Sequence, residues 1–216
     1  MVEECGREEI LLADIGNTHF HIYDGEQVQH LSYAEAMEGF AGRRLFYISV
    51  KASLGEEIEK IAQWQDISDW VHIEGEYEGM GVDRKALCLS RADGIFVDAG
   101  SAITVDVVSG GRYQGGYILP GIRAMLESYA GISEVLDVEL NENISLDQVP
   151  RTTKDGISYG IIGSIKALIE KHKETKDIYV TGGDGKLLCG FLENGILNNM
   201  LVFDGMQKVI KESKIC

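Results

Sequence analysis

Two segments of this chain share one build, Asp14-Ile15-Gly16-Asn17-Thr18 and Asp98-Ala99-Gly100-Ser101-Ala102, and each stands between two apolar, strand-like runs. In each copy an apolar run, Ile10 to Ala13 in the first and Ile95 to Val97 in the second, delivers an aspartate to a strand end. The glycine that follows allows a tight turn and brings backbone N–H groups close to a bound anion. A hydroxyl residue comes next, and the chain returns as a second strand. One Asp-x-Gly turn is common in ordinary hairpins. Two of them in 216 residues point instead to a duplicated unit with two phosphate-handling walls.

The rest of the pattern supports duplication. The first half opens with strands Ile10 to Ile15 and Thr18 to Tyr23, and a further strand is expected at Leu45 to Val50. Ser53 and Glu56 have capping-box spacing, and Ile58, Ile61 and Trp64 recur at helical intervals, so Leu54 to Gln65 reads as an amphipathic helix. Val71 to Ile73 reads as a short strand, and Glu74 to Gly81 as a loop that leads to Val82-Asp83-Arg84 and an apolar-periodic helix through Leu89. The pattern restarts near Ala92 to Gly94. Strands Ile95 to Asp98, Ala102 to Val108 and Gln114 to Leu119 form a meander with a turn at Gly110-Gly111. Pro120-Gly121 opens a helix, Ile122 to Tyr129. Thr152 or Thr153 caps another, with Ile157, Ile161, Ile165, Leu168 and Ile169 on its buried side. A last strand, Asp177 to Thr181, runs through Gly182-Gly183-Asp184-Gly185 into a further helix. Strands first, then alternating helices and strands, is an α/β arrangement in each half, with lobes at residues 1–92 and 93–216.

Composition narrows the function. With 44% hydrophobic residues and two prolines the chain can bury a real core. No apolar run approaches the roughly 20 residues of a membrane helix, and the first residues, Met1-Val2-Glu3-Glu4, are acidic where a signal peptide is basic, so the expected location is the cytoplasm. Cys5, Cys88, Cys189 and Cys216 are far apart and suggest neither a disulfide framework nor a zinc site. A formal charge of −15, with no basic stripe, opposes a nucleic-acid partner. The same charge repels a nucleotide phosphate, so phosphate binding implies a divalent cation and oriented backbone dipoles.

The two turns, together with Gly81-Val82-Asp83-Arg84, the extended run Asp98 to Asp106 and Gly115-Gly116-Tyr117-Ile118-Leu119-Pro120-Gly121, occur in the order found in type III pantothenate kinases. The resemblance runs from about residue 10 to residue 210. It implies an α/β, actin-like (ribonuclease H-like) duplicated fold, two lobes with an ATP cleft between them, in the superfamily of sugar kinases and Hsp70 chaperones. It implies transfer of the γ-phosphoryl of ATP to the 4′-hydroxyl of pantothenate, the first step toward coenzyme A. It also implies Mg²⁺, a monovalent cation (K⁺ or NH₄⁺) and a homodimer.

By the same resemblance Asp14, Ile15, Gly16, Asn17, Thr18, His19, Phe20 and His21 form the first ATP phosphate segment, with Asp14 toward Mg²⁺. Asp98 holds the monovalent cation, and Ser101, which stands where threonine is common, touches ATP with its hydroxyl retained. Gly81, Val82, Asp83 and Arg84 contact pantothenate, with Asp83 as catalytic base and Arg84 near the carboxylate. Tyr77 and Thr153, the latter seven residues before Gly160, complete the substrate contacts. Thr181 to Asp184 lies on the adenosine side.

The residue types suit this chemistry. Phosphoryl transfer to an alcohol needs an in-line hydroxyl, an acceptor for its proton and compensation of phosphate charge. An aspartate beside a guanidinium stays ionised at neutral pH and must come within about 3 Å of the hydroxyl. Arginine grips a planar carboxylate through two parallel hydrogen bonds. Strand-end carboxylates are hard oxygen ligands of the kind Mg²⁺ and K⁺ take. Tyr77, Tyr117 and Ile118 are expected lining for a mostly apolar substrate pocket. Asp106 reads as a turn brace, and His19 with His21 lacks a third metal ligand. Two other functions stay open at this stage: a non-enzymatic regulator akin to accessory factors for transcription, and an actin-like kinase of another small hydroxy acid.

Overall fold

The computed structural model describes residues 11–16, 20–50, 58 and 60–213. The expected capping pair Ser53 and Glu56, most of the helix read over Leu54 to Gln65, the phosphate-segment residues Asn17, Thr18 and His19, and Cys5 and Cys216 lie outside them. The described chain divides into two compact units. One draws on Met1–Ala92, Gly111–Tyr113 and Met200–Cys216, the other on Asp93–Gly110 and Gln114–Asn199.

In the first unit β1 (Leu11–Ile15), β2 (Phe20–Tyr23), β3 (Val28–Leu31), β4 (Leu45–Ser49) and β5 (Trp64–Asp66) form a sheet in the order β3-β2-β1-β4-β5. β1 runs antiparallel to β2 and parallel to β4. Its near-continuous apolar run, with Leu11, Leu12, Ala13 and Ile15 buried, is that of a central strand covered on both faces. In β2 burial alternates, Phe20 and Ile22 inward, His21 and Tyr23 half out. Helix α1 (Tyr33–Phe40) starts at a capping box in which Ser32 and Glu35 bond each other's backbone, and it buries Ala36 and Phe40 against β1 and β2.

Helix α2 (Val82–Leu89) packs on the last helix of the chain, which carries Gly205; a Cβ at Gly205 would overlap the carbonyl oxygen of Ala86. Two expectations fail here. Trp64 and Gln65 belong to β5, because Trp64 pairs with Leu45 and buries its ring under Phe20 and Tyr47. Val71 to Ile73 is irregular, following a 3₁₀ turn at Ser68–Trp70; a strand-like bridge comes one residue later, Glu74 to Arg112.

A second sheet, in the second unit apart from Arg112 and Tyr113, joins β6 (Gly94–Ala99), β7 (Ala102–Ser109), β8 (Arg112–Pro120), β9 (Ile178–Thr181) and β10 (Gly195–Leu197) in the order β10-β9-β6-β7-β8. β6 is antiparallel to β7 and parallel to β9. Numbered within each sheet, both read 3-2-1-4-5 with the Asp-x-Gly turn after strand 1, so the duplication expected from the sequence is present. Helices α3 (Ile122–Ala130), α4 (Thr153–Glu170) and α5 (Gly185–Phe191) complete this unit, and α6 (Leu201–Ser213) belongs to the first.

The second core joins Ile95, Val97 and Val105 of the sheet to Ile157, Ile161, Ile162, Ile165 and Ile169 of α4. Leu168, expected inside, is 38% exposed; the buried stripe turns through Ile162 instead. Among the described residues no helix is long and apolar enough to cross a membrane.

Candidate active site

Asp14 is the fourth residue of β1, abreast of His21 on β2 and Ile48 on β4. The turn after it is tied to α1, where the Tyr33 hydroxyl donates to the Gly16 carbonyl. Ile15 and Phe20 have fully buried side chains, so within the phosphate segment they can offer a ligand only backbone groups. His21 faces its cross-strand partner His30 with the two Nδ1 atoms 2.6 Å apart, which requires one ring to donate and the other to accept.

The Gly81-Val82-Asp83-Arg84 segment forms the start of α2. Gly81 is the cap residue, and a Cβ there would stand 2.5 Å from Asp83 Oδ1. The Asp83 carboxylate turns back onto the helix end and accepts the Arg84 N–H at 2.7 Å. Arg84 is 6% exposed, with Nη1 donating to the Tyr77 hydroxyl at 2.7 Å and Nη2 to the Tyr113 hydroxyl at 3.3 Å.

Tyr113 reaches this place from a distant hairpin. Its N–H donates to the Glu74 carbonyl at 2.8 Å, and Gly75, at φ +86, gives the clearance, since a Cβ there would meet Tyr113 O at 2.7 Å. Below the arginine, Glu76 accepts from Lys85 Nζ at 2.8 Å and from the Ile73 N–H at 2.8 Å, and meets His72 at 3.0 Å. Burial alone would raise its pKa, but these hydrogen bonds win and hold the carboxyl down at about 2. The segment from His72 to Lys85, a loop leading into α2, is thus fixed at both ends, with Tyr77 on the loop and Asp83 and Arg84 in the first turn of the helix. Sequence reading had singled out those three. It missed Tyr113, 29 residues from Arg84 with no local signal, and the Glu76–Lys85 pair, whose only trace was opposite charge.

In the second unit three motifs read separately come together. Asp98, near the end of β6, stands abreast of Thr104 on β7 and Thr181 on β9. Gly182, at φ +89, lies so close that a Cβ would meet both the Ala99 carbonyl and Asp98 Oδ1 at 2.5 Å, and the Asp184 N–H donates to that same carbonyl at 2.9 Å. On the other side the Gly121 N–H donates to the Ser101 carbonyl at 3.1 Å, and a Cβ on Gly121 would meet Gly100 O at 2.5 Å. The exposed Ser101 therefore sits in a turn clasped between Gly121 and Gly182. Burial, then the charge of Glu142, push the Asp184 carboxyl upward.

The donors around Asp98 suit a monovalent cation. Its carboxylate has hydroxyl residues in register on both flanks, and Thr104 Oγ1 is a buried oxygen with no hydrogen-bond partner. Among the described residues no group of three or more His, Cys, Asp or Glu is gathered as a metal-ligand set. Asp14 offers one hard carboxylate, the kind of single contact that Mg²⁺, which keeps most of its waters, accepts.

Tyr117 and Ile118 diverge as neighbours on a strand must. Ile118 is 58% exposed, whereas Tyr117 packs on the second core with its hydroxyl buried, and burial pushes that hydroxyl up to about 12. Thr153 is the exposed first residue of α4; the cap is Thr152, whose hydroxyl accepts the Asp155 N–H.

The type III pantothenate kinase family profile matches residues 60–174. The type III pantothenate kinase of Campylobacter jejuni strain RM1221 is 38% identical over 204 residues, spanning 94% of this chain and 98% of that protein. Its counterpart in Helicobacter hepaticus is 38% identical over 208 residues, spanning 94% and 99%. A crystal structure from Campylobacter jejuni, of a chain assigned to the Baf family of transcriptional activators, superposes with a TM-score of 0.87 at 36% identity, covering 95% of this chain and all of that one. The activator of 2-hydroxyisocaproyl-CoA dehydratase from Clostridium difficile, solved with ADPNP, superposes with a TM-score of 0.56 at 11% identity over 97% of this chain and 98% of its own, a likeness of actin-like fold.

Proposed function

The chain belongs to the type III pantothenate kinase family, and on that premise we propose a role for each part of its candidate site in the ATP-dependent phosphorylation of pantothenate to 4′-phosphopantothenate. Asp83 accepts the proton of the 4′-hydroxyl as that oxygen bonds to the γ-phosphorus and the bond to the leaving ADP oxygen breaks. Its place in the first turn of α2, held by the Arg84 N–H, keeps the carboxylate at one position. Arg84, with Tyr77 over it, supplies the positive charge for the substrate carboxylate, and its low exposure strengthens that charge by excluding water. Thr153 adds a hydroxyl contact.

The Asp14-Ile15-Gly16 turn and the Asp98 to Ser101 turn take the ATP phosphates, with Thr181 to Asp184 on the adenosine side. Mg²⁺ at Asp14 would neutralise phosphate charge, and K⁺ or NH₄⁺ would sit at Asp98 beside the orphaned Thr104 Oγ1. We place the reaction in the cytoplasm, with its ATP. A second copy of the chain is the partner we assign, supported by the exposed apolar side chains Ile118, Ile132, Val135 and Val149 on the second unit.

The observation that carries the reading is the single hydrogen-bonded cluster formed by Tyr77, Asp83 and Arg84 in a chain of this family. The test is mass-spectrometric detection of 4′-phosphopantothenate from purified protein, ATP, Mg²⁺ and pantothenate, with K⁺ compared to Na⁺. Product stimulated by K⁺ supports the whole assignment. No product with either cation from folded protein favours a regulatory role, as the name of the Campylobacter jejuni structure suggests for that chain, or a kinase of another hydroxy acid.

A further inference from the structure

We infer that Asn141 and Asp155 are positioning residues for pantothenate binding, acting through Thr153; the inference rests on the reading of Thr153 as a substrate contact. Between the 3₁₀ turn that ends at Leu136 and the start of α4 the chain has no regular structure. One carboxylate bonds to both its early part and its end. Asp155 Oδ1 accepts from Asn141 Nδ2 at 2.8 Å, and Oδ2 accepts from Thr152 Oγ1 at 2.8 Å. The two oxygens therefore join the front of the loop to its end, one residue before Thr153.

The other polar groups of Asn141 are engaged as well. Its N–H donates to Ser158 Oγ at 2.8 Å, and its Oδ1 accepts the Asn143 N–H at 3.1 Å. Ser158 is fully buried, and its hydroxyl passes the chain on to the Lys154 carbonyl at 2.8 Å. The donors from Asn141 and then Thr152 hold the Asp155 carboxyl below the usual carboxylate range.

Capping α4 explains only part of this. The cap is complete with Thr152 Oγ1 accepting the Asp155 N–H at 3.1 Å, and the Asn141 arm adds nothing to it. What the arm does is close the loop and set the approach of the chain to Thr153. The same Asp155 forms part of the wall of an open cavity of about 640 Å³ with Ile144, Val149, Pro150 and Arg151, so the loop it fastens is also a cavity wall. A hydroxyl displaced by an ångström from its substrate partner loses most of its contribution, and a polar network of this kind is where such displacement is prevented.

The experiment is steady-state kinetics of the full chain carrying Asn141→Ala, Thr153→Val, or both, with amide hydrogen exchange over residues 141–155. The expected result for Asn141→Ala is a rise of about 5- to 10-fold in KM for pantothenate, with KM for ATP and kcat within about 2-fold, and faster exchange in the loop. The double variant is no worse than Thr153→Val alone. If Asn141→Ala folds poorly, Asn141→Asp replaces it; this isostere keeps the backbone bond to Ser158 and the acceptor for the Asn143 N–H, and sets a like charge against Asp155 in place of the hydrogen bond.

A wild-type KM for pantothenate in the Asn141 variants, with a raised one in Thr153→Val, overturns the positioning role and leaves the Thr153 contact standing. A wild-type KM in Thr153→Val overturns the Thr153 contact itself and the inference with it. Additive effects in the double variant overturn the route through Thr153 alone.

Discussion

Arg84 Nη1 donates to the Tyr77 hydroxyl at 2.7 Å, and the guanidinium carbon lies 5.9 Å from the centre of the tyrosine ring. The tyrosine is 47% exposed and the arginine 6%, so the aromatic ring is the outer face of a buried charge. Tyr77→Phe keeps the ring and removes the hydrogen bond. We expect a loss of about 1 kcal/mol in stability and a fall of roughly 10-fold in kcat/KM for pantothenate, with KM for ATP unchanged. Urea titration and initial rates check both, and an unchanged kcat/KM would remove Tyr77 from the substrate site.

Asp83→Asn retains an oxygen for the Arg84 N–H and so should melt within a few degrees of the parent. As general base the carboxylate is worth about 10² to 10⁴ in rate. A kcat reduced by less than about 10-fold would assign the proton to another group.

Glu76 carries a pH dependence. Its carboxyl titrates near 4.5 when unfolded and at about 2 when folded, so its contribution, on the order of 3 kcal/mol, is complete above about pH 4.5 and is lost as pH falls toward 2. Glu76→Gln should lower stability at pH 7 and flatten the acid limb of the stability profile. Equal slopes for parent and variant below pH 4.5 would show that another group drives the acid transition.

Gly205 and Gly190 separate contact from helix propensity. A Cβ on Gly205 meets the Ala86 carbonyl, whereas one on Gly190 meets nothing within 4 Å. Gly205→Ala should cost about 3 kcal/mol or more, and Gly190→Ala should gain about 0.5 to 1 kcal/mol. Denaturation midpoints moving in the same direction would contradict the backbone contact between α2 and α6.

Gly182→Ala tests the cation assignment. The new Cβ must displace Asp98 Oδ1 or the Ala99 carbonyl at a residue already at φ +89, so K⁺ stimulation should fall while activity in Na⁺ falls less. An undiminished K⁺ effect would move the cation away from Asp98.

Much of this was legible in the chain because it depended on neighbours in sequence. The Asp98-Ala99-Gly100 turn, the Gly110-Gly111 hairpin, a cap at Thr152 or Thr153 and the end of a loop at Gly81 are local events, and each was readable from turn chemistry or periodicity. Failures came where a distant partner decided the outcome. Trp64 continued a helical spacing, yet parallel pairing with Leu45 drew it into β5. Val71 and Ile73 looked like a strand, but their backbone has no strand partner and is spent on turns. β3 and α1 arise from a short, weakly alternating stretch with no strong apolar period, and neither was expected from the sequence; the Ser32–Glu35 capping box is seen only in the fold. In the site, Asp83 and Arg84 were readable as a motif. That Arg84 is buried under two tyrosines was not, because Tyr113 arrives through the long-range bridge from Glu74 to Arg112.

The last helix has a temporal meaning as well as a spatial one. α6 buries Leu201, Val202, Phe203, Met206, Val209 and Ile210 within the unit that begins with β1, and Gly205 seats it directly on the backbone of α2. On the ribosome β1 emerges before the strands and helices of the second unit and this helix after them. The second unit can therefore reach its native contacts while the first is still missing a wall. A nascent chain stopped before Met200 should hold β6 to β10 in protease-resistant form and leave β1 to β5 open to cleavage, so that the half of the protein made first is the half finished last.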